Sequence, residues 1–267
     1  TINGEVATLW GLRLGGVPLS DEWTDEVIQQ LDVWKSYGIN SLAIWLQGTA
    51  GGYIQLFSED GKEFLKEDPI RVKVGVDVPE EIINFGITSG EKVIARTRRL
   101  IEAADEKGMV VIVGIGYFPS MELADFTSES WINAMKLVAE PFKDYENIIF
   151  NVWNQPDGRD LETVEELIAY SQAIKEVAPE RLVGCGGRTA SFNLEVGAAP
   201  TIDMVLTDAG RNYKAVVKGF TDTRPVNKPI VNVLPFGSRA NAYVDDLRQQ
   251  VAAPEGYYLD FSFWRRV

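Results

Sequence analysis

The chain has 267 residues, 45% apolar and 24% charged, which is enough to bury a large core within one domain of barrel size. Its 26 basic residues face 39 acidic ones, a net charge of −13; such a balance repels phosphate backbones and anionic lipid heads, so neither nucleic acid nor a membrane surface is an expected partner. Histidine is absent and cysteine occurs once, at Cys185, which removes histidine triads, most transition-metal sites and any intrachain disulfide, and no metal or cofactor is expected.

Strand-like and helix-like segments then alternate along the whole chain, the pattern of βα units and a parallel sheet. Ala7 to Leu14 reads as a first strand. Ser20-Asp21 opens a helix carrying Val27, Leu31 and Trp34 at helical spacing, and Gly38 ends it. Ser41 to Leu46 is the second strand, followed by a long insertion over residues 53–88 that is expected above the barrel mouth as a lid or a wall of the cleft. Val93, Thr97, Leu100, Ile101 and Ala104 mark the next helix, and Met109 to Ile115 the third strand. Ser128 is the expected cap of a third helix with Trp131, Met135, Val138 and Phe142 on one face.

The fourth strand begins at Ile148 as an apolar run and breaks into Asn154-Gln155-Pro156-Asp157-Gly158, polar and turn-forming residues. A fourth helix follows over Val164, Leu167, Ile168 and Ile174, stopped by Pro179. Leu182 to Gly186 is the fifth strand, with Cys185 expected as a buried, inert thiol, and only a helical stub over Ser191 to Gly197 comes after it. Asp203 to Thr207, Lys228 to Val233 and Tyr257 to Trp264 complete the strands, with helices over Tyr213 to Phe220 and over Val244, Leu247 and Val251 between them. The expected architecture is a single α/β domain over 1–267, a (β/α)8 TIM barrel without a complete final helix, whose chemistry sits at the carboxyl ends of the strands. No apolar run is long enough to span a membrane. A first residue of Thr1 rather than Met fits a processed or trimmed secreted protein.

Several segments together resemble the clan A glycoside hydrolase superfamily, in particular its cellulase-like barrels. They are Gly11-Leu12-Arg13-Leu14, the stretch Leu31 to Asn40 leading into the second strand, Ile101 to Met109 leading into the third, Asn147 to Pro156, and Lys228 to Gly237. Trp153-Asn154-Gln155-Pro156 stands where the family has Trp-Asn-Glu-Pro. The resemblance implies carbohydrate as the partner, an extracellular or periplasmic location, and two catalytic glutamates about 5 Å apart, one ending the fourth strand and one ending the seventh. This chain departs at both places. Gln155 has nearly the shape of Glu but no titratable proton, and Leu234 stands near the expected nucleophile with no carboxylate beside it. Three explanations are open: an engineered substrate trap, which leaves Leu234 unexplained; a pseudoenzyme or assembly block that keeps the barrel, with homo-oligomers possible; or catalysis by another carboxylate, such as Asp208, Asp260 or Asp157. Asp157 and Asp160 are also candidates to cap the fourth helix.

Sugar sites stack aromatic rings on pyranose faces and direct amides at vicinal hydroxyls. The candidate contacts are Trp45, Gln47, Tyr117, Trp153, Asn154, Gln155, Arg188, Asp208, Asn232 and Trp264. Trp45 and Trp153 have an alternative place in the barrel core, and Arg13 can either reach the mouth or bury in an ion pair.

Overall fold

A computed structural model describes residues 8–49, 52–71, 86–117, 126–158, 162–208, 213–233 and 258–260. Eight parallel strands form one sheet: β1 (Gly11–Arg13), β2 (Ser41–Trp45), β3 (Val110–Tyr117), β4 (Ile148–Asn154), β5 (Leu182–Gly186), β6 (Met204–Thr207), β7 (Ile230–Asn232) and β8 (Tyr258–Asp260). Their order across the sheet is β7-β6-β5-β4-β3-β2-β1-β8, that of a (β/α)8 barrel. Arg13 at the end of β1 donates to the carbonyl of Val233 just beyond β7, at 3.3 Å, so the sheet curls back on itself.

Helices α1 (Asp21–Ser36), α2 (Gly90–Glu106), α3 (Ser128–Ala139), α4 (Val164–Val177), α5 (Ala190–Gly197) and α6 (Tyr213–Thr223) fill the connections. Their starts are fixed by side-chain caps: Ser20 accepts from the Trp23 amide, Ser89 from Lys92, and Thr127 from Ser130. The α3 cap is thus Thr127, one residue before the Ser128 expected from the sequence. For α4 the cap is Thr163, in a reciprocal box with Glu166. Asp157 therefore does not cap α4, and Asp160 lies outside the described residues, as do the expected seventh helix, Leu234 and Trp264.

Alternation along the strands sorts side chains into two apolar layers. Ala43, Trp45, Ile112, Tyr117, Ile149, Met204, Leu206, Val231 and Val233 pack inside the curl. The larger layer, between sheet and helices, includes Leu42, Ile44, Val113, Ile115, Phe150, Val152 and Trp153. Glycines make room inside: a Cβ on Gly114 would meet the Trp45 ring at 2.6 Å, and one on Gly184 would meet Leu206 at 2.6 Å. These positions are closed to larger residues by their neighbours.

The segment after β2 is less irregular than its sequence suggests. Gly48–Thr49 pairs antiparallel with Gly52–Tyr53, and Asp68–Pro69 with Ile87–Thr88. Between them the chain packs down on the helices: Phe57 lies edge-on to Trp131 at 6.1 Å, and the Asn133 amide of α3 donates to the Asp60 carbonyl at 3.0 Å. Ile54, Leu56 and Phe57 are fully buried in the outer core. Residues 72–85 lie outside the described part.

Candidate carbohydrate site at the end of the fourth strand

β4 carries a bulge. Asn151 pairs with Gly184 and Asn154 with Gly186, so β4 spends one more residue than β5 over the same span. A bulge breaks the two-residue period and re-aims the side chains beyond it. Val152 and Trp153 consequently both sit in the outer layer. Trp153 is fully buried there, edge-on to Trp131 at 4.7 Å and stacked on Tyr170 at 6.1 Å. Of the two places open to Trp153 in the sequence, the structure gives the packing one.

Asn154, the residue after the bulge, pairs with Tyr117 of β3. It is 1% exposed, and among the described residues neither its Nδ2 nor its Oδ1 has a hydrogen-bond partner. An amide buried without partners costs about 1–3 kcal/mol, so the position is costly for folding alone. Gln155 follows in the left-handed region, with φ 60°, where a residue with a Cβ pays roughly 1–2 kcal/mol. Strain of this kind collects at functional sites. Pro156 then opens a short 3-10 turn, Pro156–Gly158, with its fixed φ and missing N–H at the first position.

Gln155 is tied to the end of β5. The Arg188 guanidinium donates to Gln155 Oε1 at 2.9 Å. Arg188 is set in turn by Asp157, whose carboxylate accepts from the Arg188 amide at 2.9 and 3.0 Å, the Thr189 amide at 2.9 Å and the Thr189 hydroxyl at 3.0 Å. Asp157 thus pins the chain just before α5, at the amides of Arg188 and Thr189, while the Thr189 side chain makes no cap hydrogen bond to the helix. The fit requires Gly187, since a Cβ there would meet Asp157 Oδ1 at 2.2 Å. Asn193 completes the clamp: it accepts from the Gly187 amide at 2.7 Å and donates to its carbonyl at 3.2 Å and to Thr207 Oγ1 at 3.1 Å. Neither Asn193 nor Gly187 stands out as a site residue in the sequence; the Gly186-Gly187 pair just before Arg188 is the one local sign of close packing.

The other candidates divide. Tyr117 and Trp45 lie on the inner wall with ring centroids 6.2 Å apart, and the Arg13 guanidinium sits 4.3 Å from the Trp45 ring and 5.9 Å from that of Tyr117, within cation–π range. Arg13 is buried against these rings. Asp208 and Asn232 are buried at the ends of β6 and β7, and the Asp208 amide donates to the Gly187 carbonyl at 2.9 Å. Gln47 is fully buried and spends both ends on backbone, donating to Ile115 and accepting from Leu56, each at 3.3 Å. Of Asp260 only the backbone is described, paired with Arg13. The Cys185 thiol is buried and pushed up to about 12 by burial, which keeps it protonated and inert.

A parallel eight-stranded sheet with helices in its connections, and polar side chains gathered at the carboxyl ends of its strands, is the architecture of a β/α barrel. The cellulase family model, glycosyl hydrolase family 5, matches residues 54–228, more than half of the chain. The chain belongs to that family. No curated protein matches it. Among solved structures it is similar to a glycoside hydrolase family 5 protein from Bacteroides vulgatus ATCC 8482, with TM-score 0.63 and 18% identity over 96% of this chain and 58% of that one. It is similar to an exo-beta-1,4-mannosidase from Opitutaceae bacterium strain TAV5, with TM-score 0.62 and 14% identity over 96% of this chain and 52% of that one. A third is a xyloglucan-specific endo-beta-1,4-glucanase from a metagenomic library, solved with cellotriose, at TM-score 0.57 and 14% identity over 95% and 86% of the two chains. The chain spans 62%, 58% and 52% of the first three such structures. At these identities the likeness establishes the fold. No described helix is long and apolar enough to cross a membrane.

Proposed function

We propose that this barrel binds an oligosaccharide or polysaccharide at the carboxyl ends of its strands and does not hydrolyse it by the family's usual route. The observation that carries the reading is the pair at the end of β4. Asn154 is buried with neither end of its amide paired among the described residues, and a sugar hydroxyl or two would supply such partners. Gln155 occupies the place of the general acid and carries no proton to give. Leu234, near the nucleophile position, has no charge to attack an anomeric carbon. Tyr117 offers an aromatic face on the inner wall, and Arg188 a fork of donors at the rim. Such a protein acts where polysaccharide is met, outside the cytoplasm.

Calorimetric titration with β-1,4-linked gluco-, manno- and xyloglucan oligosaccharides tests it. Heat with at least one of them, without release of reducing ends, is the expected result, and Asn154→Ala weakens that binding by about tenfold, or ~1.4 kcal/mol. Silence across the panel would defeat the reading and favour a barrel kept for assembly, checked by light scattering. Hydrolysis that disappears in Asp208→Asn would instead make Asp208 the working carboxylate.

A further inference from the structure

We infer that Arg188 is the positioning residue of Gln155: held in place by Asp157, it takes the side-chain oxygen and leaves Nε2 as the group that position 155 presents to the mouth. An arginine has five N–H donors and no acceptor, so only the oxygen end of the amide can face it. The contact is 2.9 Å, and the four contacts from Asp157 to Arg188 and Thr189 fix the backbone that delivers the guanidinium. The left-handed φ of Gln155 fixes the direction in which its Cα–Cβ bond leaves the backbone. Position 155 is therefore a hydrogen-bond donor of fixed orientation. Within the carbohydrate reading, on which this use of the group rests, it matches an acceptor on the ligand, such as the bridging oxygen of an intact glycosidic bond.

The same arrangement has a consequence for restoring an acid. A general acid at this place needs a carboxyl held protonated near the working pH. Arg188 does the reverse, since a guanidinium against a carboxyl favours its ionised form. Among the described residues, the charged groups at the neighbouring strand ends are Arg188, Asp157 from the turn that follows and Asp208 from the end of β6. Asp157 is spent on the 188–189 backbone and the Thr189 hydroxyl. The Gln155→Glu variant is thus expected to gain a carboxylate paired with Arg188 and to gain no hydrolysis.

Titration by carbon NMR of protein labelled at the glutamate carboxyl, read as the signal present in Gln155→Glu and missing from the parent, tests this directly. The expected pKa is below the ordinary Glu value of about 4.3. Adding Arg188→Ala raises it by about 0.2 to 0.7 units, the size that an exposed charge pair supports, and Arg188→Lys recovers part of the drop. A value at or above 4.3 that ignores Arg188→Ala overturns the inference. If Gln155→Glu does not fold, the side-chain NH2 signals of Gln155 decide instead. They shift and broaden in Arg188→Ala if the contact orients the amide, and unchanged signals overturn it. Both measurements are made without sugar, so their failure leaves the carbohydrate reading standing, and a silent glycan panel leaves this inference standing.

Discussion

Trp153 and Asn154 are neighbours in the chain with opposite relations to the fold. Trp153 lies fully buried in an aromatic layer, edge-on to Trp131 and stacked on Tyr170. Asn154, past the bulge, has no partner among the described residues for either end of its amide. The β4 bulge turns one strand into two surfaces with separate duties, the outer one holding the barrel together and the inner one costing stability to keep polar groups ready. Function and stability are therefore expected to separate by mutation at adjacent residues.

The largest effect should come from the outer side. Trp153→Ala removes a fully buried indole and should cost about 3–5 kcal/mol in urea unfolding, with glycan affinity of the folded fraction little changed; the comparison breaks if stability holds and binding vanishes. Next comes the clamp. Asp157→Ala strips the acceptor from the Arg188 and Thr189 amides and should cost about 2 kcal/mol, measured the same way, and Asp157→Asn should cost less because one oxygen remains to accept.

A smaller effect is expected in pH. Glu162 accepts a hydrogen bond from Tyr170 at 3.0 Å, tying the outer layer to the residues just before α4. Its carboxyl is pushed up to about 7, first by burial and then by the nearby Glu166. The folded form holds this proton more tightly than the unfolded form, so the contribution to stability is full below about 4.5, declines as pH rises through about 7 and is gone above it. Partial solvent contact reduces its size to roughly 1 kcal/mol. Glu162→Gln should flatten that slope in melts taken from pH 4 to 8, and an unaltered slope would locate the titration elsewhere. The smallest effect on stability belongs to Asn154→Ala, within about 0.5 kcal/mol or slightly stabilising, because a buried unpaired amide is removed. A loss above 2 kcal/mol in the same urea assay would mean that Asn154 serves the core, and the two surfaces would no longer be distinct.

Most of the barrel was legible in the sequence because βα alternation is written in hydrophobic period and in terminators such as Gly38 and Pro179. The proposed site was read from Asn154-Gln155-Pro156 at the end of an apolar run, and the burial of Asn154 and the contact of Gln155 with Arg188 are what the structure adds to that reading. Trp153 was not, because a bulge adds a residue without any change of composition, and strict alternation carries no sign of it. Asp157 was misread for a different reason. A carboxylate just ahead of a helix reads as that helix's cap, but the amides it meets, those of Arg188 and Thr189, are more than thirty residues away along the chain. Gln47 was assigned to the mouth by its position after β2, whereas its amide is consumed by Ile115 and Leu56.

The segment that follows Gln47 bears on how the barrel can be engineered. A long connection after a barrel strand invites trimming to widen the cleft or shorten the scaffold. Here Phe57 covers Trp131, and Gly61 sits so close to α3 that a Cβ would meet the Ser130 carbonyl oxygen at 1.9 Å. Residues 54–65 are thus a fitted panel of the outer wall, and cutting them out would strip the aromatic layer of its cover. A minimal version of this domain has to keep them, and redesign of the opening belongs on the β4 and β5 rims, where Gln155 and Arg188 meet.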